Sequence, residues 1–169
     1  IYAAKKDVQN ARVFFGKAYE LDPDNKWIAL ETANFSIAIG DLKNATTIYE
    51  KLVQEYSEDI SFKFELAQLY YNQKQFKKCI VVLNEVEVLL GSNEELSNQK
   101  KDIYLLLDDV VGAQNELEKL VATYPANVEY LGLLAQFYAA NEEPDKALKT
   151  YRKMLVLAPT DPRAHLDLA

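Results

Sequence analysis

Basic residues are the minority in this 169-residue chain, where 19 Lys and Arg face 26 Asp and Glu for a net charge of −7. A surface of that sign repels phosphate backbones and anionic headgroups, which argues against nucleic acid as a partner and against direct membrane insertion. Cysteine occurs once, at Cys79, so an intrachain disulfide framework and a thiolate metal cluster are both excluded. A lone thiol fits a reducing or an oxidising compartment equally, and localisation stays open between cytoplasm and bacterial periplasm. Apolar runs such as that from Ile80 to Leu83 fall far short of the roughly 20 residues that span a bilayer. No basic leader followed by an apolar stretch opens the chain. It starts at Ile1, and Tyr2 to Lys6 already read as a helix interior, so the natural N-terminus is expected elsewhere. Glycine and proline number five each, too few to punctuate many short elements, and long helices are the first expectation. Hydrophobic residues at 49% and charged residues at 27% suit a packed core with a solvated exterior and exclude disorder.

What the sequence does have is an internal period. Ala11, Ala45, Cys79, Ala113 and Ala147 are small residues recurring every 34 positions without an insertion. Four residues on come Phe15, Tyr49, Leu83, Leu117 and Tyr151, and three further Ala18, Leu52, Val86, Leu120 and Met154. That is the apolar stripe of a helix. A second stripe is set by Ile28, Phe62, Leu96, Tyr130 and Ala164, then Phe35, Leu69, Ile103 and Phe137 seven residues later, with Tyr70, Tyr104 and Tyr138 beside them. Short polar joints, Gly40-Asp41, Lys74-Gln75, Asp108-Asp109 and Glu142-Glu143-Pro144, separate the two helices, so each unit is a helical hairpin. The second helix stops at Asp22-Pro23, Tyr124-Pro125 and Ala158-Pro159, where proline cannot continue a helix and the following Asn or Asp can cap the next. Ser57 and Gly91 are the breakers at the equivalent places.

These columns resemble the tetratricopeptide repeat, a 34-residue helix-turn-helix unit with small and aromatic packing residues and a terminal proline. The resemblance covers the whole chain as one array: a partial unit in 1–25, full units at 26–59, 60–93, 94–127 and 128–161, and a partial unit in 162–169. It implies an all-α, right-handed α-solenoid in which neighbouring hairpins bury one another's apolar stripes. One unit departs from the pattern. The close-contact column reads Ala33, Ala67, Lys101, Ala135 and Ala169, and the column before it reads Thr32, Leu66, Lys100, Leu134 and Leu168. Two lysines at a packing seam are expected to snorkel outward or to distort the seam, since an unpaired buried ammonium costs several kcal/mol.

Residues able to carry chemistry are few. No catalytic motif and no glycine-rich phosphate loop is present. Cys79 sits in a column otherwise filled by Ala and reads as a buried packing residue rather than a reactive thiol. His165 lies in the last, incomplete unit and is assigned no role. The acidic pairs Asp108-Asp109 and Glu142-Glu143 fall in joints and read as solvated surface. The chain is therefore expected to be no enzyme and to need neither cofactor nor metal.

Arrays of this family typically bind peptides or partner helices on the concave side, lined by the first helix of each unit. The matching positions here are Trp27, Leu30, Glu31 and Asn34 in the first full unit, and Phe64, Glu65, Gln68, Tyr71 and Asn72 in the second. Asn98 and Asp102 in the third and Gln136 in the fourth complete the candidate face, with Gly132, Ala139 and Ala140 leaving room. Counting Glu95, Glu129, Arg163 and Asp167, the face holds six acids and one base. The chaperone-binding branch of the family grips a C-terminal carboxylate with cations there, whereas the matching places here hold Leu30, Asn34, Glu65, Glu95 and Gln99. The expected ligand is instead a neutral-to-basic segment or partner helix, anchored on Trp27, Phe64 and Tyr71, with Asn34, Gln68 and Asn72 meeting its backbone. The competing reading has Trp27, Leu30 and Phe64 packing against a neighbouring unit or a capping segment. A second function class also stands: a spacer of a longer protein that self-associates, as a homodimer, through the bare ends Ile1–Ala4 and Leu166–Ala169.

Overall fold

A computed structural model describes residues 2–160, with side chains from Asp7 onward. His165, Arg163, Asp167 and the C-terminal end invoked for self-association lie outside the described residues, as do the side chains of Ile1–Ala4. The described residues are all-α: α1 (Tyr2–Leu21), α2 (Lys26–Ala38), α3 (Leu42–Glu55), α4 (Ile60–Asn72), α5 (Phe76–Leu90), α6 (Glu94–Leu106), α7 (Val110–Thr123), α8 (Val128–Ala140) and α9 (Pro144–Leu157). They fall into two compact units, 1–89 and 90–169, each built of helical hairpins.

The helix starts repeat as faithfully as the apolar columns. Asn25, Asp59, Asn93 and Asn127 stand one repeat apart, and each side chain accepts a hydrogen bond from backbone N–H groups in the first turn of α2, α4, α6 or α8. Asp41 and Asp109 do the same for α3 and α7, while α9 starts with Pro144, whose missing N–H costs nothing there. Of the acidic joint pairs, Asp109 is thus a helix cap as well as a solvated charge, whereas Asp108 and Glu142 are exposed and Glu143 makes no cap hydrogen bond. Between the helices of each hairpin a single residue turns left-handed: Gly40 at φ 78°, Lys74 and Asp108 at 57°, and Glu142 at 60°. Only glycine adopts this conformation freely, yet three of the four positions hold a longer side chain. Helix packing, not the turn residue, imposes the bend.

In the first unit the core holds Ala45, Ile48, Tyr49 and Leu52 of α3 against Leu66, Ala67, Leu83 and Val86, all nearly inaccessible. Phe15 of α1 stacks on Phe35 of α2 with ring centroids 4.9 Å apart. In the second unit the core joins Leu117 of α7, Leu131, Leu134, Ala135 and Tyr138 of α8, and Ala147, Tyr151 and Met154 of α9. The small-residue column does what its spacing predicts: Ala45, Cys79 and Ala113 are fully buried and Ala147 nearly so.

Candidate functional site

The outward faces of the first helices carry the candidate residues. In the first unit Trp27, Glu31 and Asn34 of α2 and Phe64, Glu65, Gln68, Tyr71 and Asn72 of α4 are all exposed, and Leu30 is half-buried. Trp27 is 75% accessible, Phe64 40% and Tyr71 39%. Trp27 therefore packs on no neighbour as a core residue would, whereas Phe64 and Tyr71 keep one side covered. Tyr71 meets Phe76 edge-on at 5.6 Å. Gln68 Nε2 donates to Asn72 Oδ1 at 3.0 Å, and the Tyr49 hydroxyl donates to Asn34 Oδ1 at 3.5 Å, so this amide row is held in place. The nearby bases turn elsewhere. Lys26 lies against Asp59 at 3.4 Å and over the Tyr56 and Phe62 rings, and the buried Lys63 pairs with the exposed Glu85. The face of the first unit is thus apolar, amide-bearing and acidic.

In the second unit Glu95, Asp102, Glu129 and Gln136 are exposed, and Asn98 is half-buried, accepting from Lys101 Nζ at 3.3 Å. Gly132 does not open space on this face, because it is covered.

The lysine pair breaks with expectation. Lys100 does not snorkel: its side chain is 1% exposed, and Nζ lies 2.8 Å from Glu116 Oε1 on α7. Glu116 is as deeply buried and also receives Lys119 at 3.1 Å. Helix α6 keeps the 13 residues of α2, α4 and α8, so the seam absorbs the charge without shortening the helix. The signal was present in the sequence: the column of Glu116 reads Ile48, Val82, Glu116, Thr150, and its single acid matches the single lysine in the column Thr32, Leu66, Lys100, Leu134 of the other helix. Lys101 is the one that reaches out, 3.2 Å from Asp102.

A second recurring device links successive hairpins. The Tyr70 hydroxyl donates to Glu50 at 2.6 Å, and Tyr138, two repeats later, donates to Glu118 at 2.7 Å. Lys78 lies 5.0 Å over the Tyr70 ring and Lys146 5.2 Å over the Tyr138 ring. Burial, then the adjacent carboxylate, pushes both phenols well above their ordinary range, while the Tyr138 hydrogen bond holds Glu118 below the usual carboxylate range. The deviant hairpin lacks the lysine: Gly112 takes its place, and a Cβ there would lie 2.4 Å from Tyr104 Cδ1. The Tyr104 ring packs against Gly112 of α7 instead.

Cys79 is inaccessible, and its thiol donates to the Ala67 carbonyl at 3.2 Å. Burial pushes its pKa from 9.0 to about 11, which leaves about 100-fold less thiolate at neutral pH. A disulfide reagent is expected to label the native protein that much more slowly than the urea-unfolded chain; equal rates would contradict the burial. A folded-state pKa above the unfolded one also sets the sign of the pH effect. The contribution of the neutral thiol is intact below pH 9.0 and is lost as pH rises towards about 11. Among the described residues no cluster of His, Cys, Asp and Glu could hold a metal ion, and no helix is long and apolar enough to cross a membrane.

Against known proteins, two profiles described as tetratricopeptide repeat match residues 104–169 and 1–25. The chain resembles the protein O-mannosyl-transferase TMTC1 of Homo sapiens, with 24% identity over 131 residues; it spans only 15% of that relative's length and 78% of its own. Among solved structures, MamA from Desulfovibrio magneticus RS-1 superposes with a TM-score of 0.55 at 19% identity, over 84% of this chain and 80% of that one. YrrB, described as a TPR protein with an unusual peptide-binding site, gives 0.53 at 17% identity over 90% and 79%. The Naa15/Naa10 complex bound to HypK-THB gives 0.67 at 19%, over 99% of this chain and 27% of that one. At these identities the structures establish the fold alone.

Proposed function

The chain belongs to the tetratricopeptide repeat family, and on that premise we propose that it is a non-catalytic scaffold whose first helices bind a neutral-to-basic peptide segment or partner helix. One observation carries the reading: Trp27, Phe64 and Tyr71 stay accessible on α2 and α4, interleaved with Asn34, Gln68 and Asn72. Exposed aromatics among ordered amides suit an extended peptide, because rings fill side-chain pockets at little entropic cost and amides meet the peptide backbone. Charge supports the sign of the partner. Glu31 and Glu65 are exposed here, while Lys26 and Lys63 are engaged by Asp59 and Glu85. An acidic tail would meet repulsion with no charge-assisted bond to offset its desolvation. In the second unit Asp102 and Gln136 extend the same chemistry.

The test is selection from a random peptide library at low and high salt, repeated with Phe64→Ala/Tyr71→Ala. Neutral-to-basic sequences with an apolar anchor are expected, weakened by salt and by about 10-fold or more in the double variant. Thermal stability should hold, since both rings are partly exposed. Selection of acidic sequences, or unchanged affinity in the variant, would overturn the proposal.

A further inference from the structure

The outer side of the second unit has the opposite character to its first helices. Helix α9 carries Lys146, Lys149, Arg152 and Lys153 against the single acid Asp145. Lys146 is taken by Glu143 and by the Tyr138 ring. For Lys149, Arg152 and Lys153 no carboxylate lies within ion-pair distance among the described residues. Beside them an open groove of about 600 Å³ runs between α7 and α9. Leu131 and Leu134 of α8 form its floor, and Val121, Pro125, Val156 and Leu157 form its walls, with Glu118 and Lys153 on the rim. Val156 is 80% exposed, so the walls stand open to solvent. A shallower recess containing Lys149 and Arg152 adjoins it through Lys153 and Val156, with Asp145 at its edge.

Comparison with the first unit explains why this place is vacant of charge pairing. Two repeats earlier, Lys63 stands at the position of Leu131 and Glu85 at that of Lys153, and the buried Lys63 ammonium pairs with the exposed Glu85 carboxylate. There the chain supplies both charges itself. In the second unit leucine has replaced the floor lysine and a lysine has replaced the acid, which leaves an apolar floor under a cation without an internal counter-charge. Glu118 on the same rim keeps its charge and accepts the Tyr138 hydroxyl at 2.7 Å and Gln114 at 2.9 Å through one oxygen, but it forms no ion pair with Lys153.

We infer that the groove between α7 and α9 is a second docking surface, taking an acidic amphipathic segment of a partner protein. Its apolar side chains would lie against Val121, Val156 and Leu157, and its carboxylates would meet Lys149, Arg152 and Lys153. Charge complementarity fixes the sign of the partner. The recessed apolar floor favours a side-chain ligand over the flat surface of an anionic bilayer, which the net charge of −7 also repels. The inference is independent of the binding face proposed for α2 and α4, since the two share no residue and prefer partners of opposite charge.

The experiment is a titration of the isotope-labelled protein, followed by amide NMR, with a synthetic amphipathic peptide of leucine, aspartate and glutamate. Its lysine-for-acid counterpart and phosphatidylserine vesicles are run in parallel. Expected are shifts at Val121, Ala122, Val156 and Leu157 with the acidic peptide only, weakening with salt. Affinity should fall 10-fold or more in Lys149→Glu/Arg152→Glu/Lys153→Glu and in Val156→Asp, and stay unchanged in Phe64→Ala/Tyr71→Ala. The first four positions are solvent-facing, and the shift map of the unsubstituted protein decides on its own should a variant misfold. Shifts confined to α2 and α4, equal binding of the lysine peptide, capture by vesicles, concentration-dependent self-association through these residues, or no shift at all would each overturn it.

Discussion

Glu116→Ala is expected to cost about 3–5 kcal/mol of unfolding free energy, because it removes the carboxylate 2.8 Å from the Lys100 ammonium in a site only 1% accessible. Helix propensity would not reveal this, since alanine is the better helix former. The loss arises from removing the Glu116 counter-charge from a desolvated ammonium. The companion variant separates the pair's net worth from the cost of breaking it. Lys100→Leu/Glu116→Thr installs the pair that the next hairpin uses, Leu134 and Thr150, and should be neutral or about 1–4 kcal/mol more stable than the unsubstituted protein. Urea unfolding of both, with amide exchange in α6 and α7, is the measurement. A single variant losing under about 1 kcal/mol would mean that Lys100 escapes to solvent or sheds its proton at little cost.

Tyr151→Ala should destabilise by about 3–5 kcal/mol, in the range for deleting a fully buried aromatic ring. Tyr151 is 1% exposed and packs in the cluster of Leu117, Leu131, Leu134 and Met154. Removing it takes out both the transfer free energy of the ring and the contacts of everything that lined it. Tyr151→Phe keeps the ring and should lose far less. Val156→Ala, five residues along the same helix but 80% exposed, should stay within about 0.5 kcal/mol. Thermal unfolding of the three ranks them, and a Val156 effect rivalling that of Tyr151 would show that the α7–α9 groove is part of the core.

Periodicity made the hairpins legible, since columns such as Ala45, Cys79 and Ala113 need only local spacing to be read and all three are buried. The Asn and Asp caps were legible for the same reason: a cap acts within four residues of itself. Charge pairing was harder. Lys100 looked like a defect because its column was read alone, whereas its partner Glu116 stands on another helix and only the tertiary seam brings the two together. Lys63 was hidden in the same way, since its partner Glu85 stands on another helix, α5. The exposure of Trp27 was expected from its side of the helix, but spacing cannot tell a free ring from one covered by a neighbour. The α7–α9 groove was invisible altogether, because it is a gap left by replacing Lys63 and Glu85 with Leu131 and Lys153, and gaps leave no periodic trace.

The left-handed residue at 40, 74, 108 and 142 has a further consequence, for how such a chain can change length. Each intra-hairpin joint bends at one residue, separated from the next helix only by its N-terminal capping residue. One added residue would turn the following helix by about 100° about its axis and swing its alanine column out of the seam into solvent. Lys74, Asp108 and Glu142 tolerate the strained backbone because the phase of the next helix depends on it. Insertions are accordingly ruled out at these joints unless they arrive as complete hairpins, and the array can be lengthened or shortened only in whole periods.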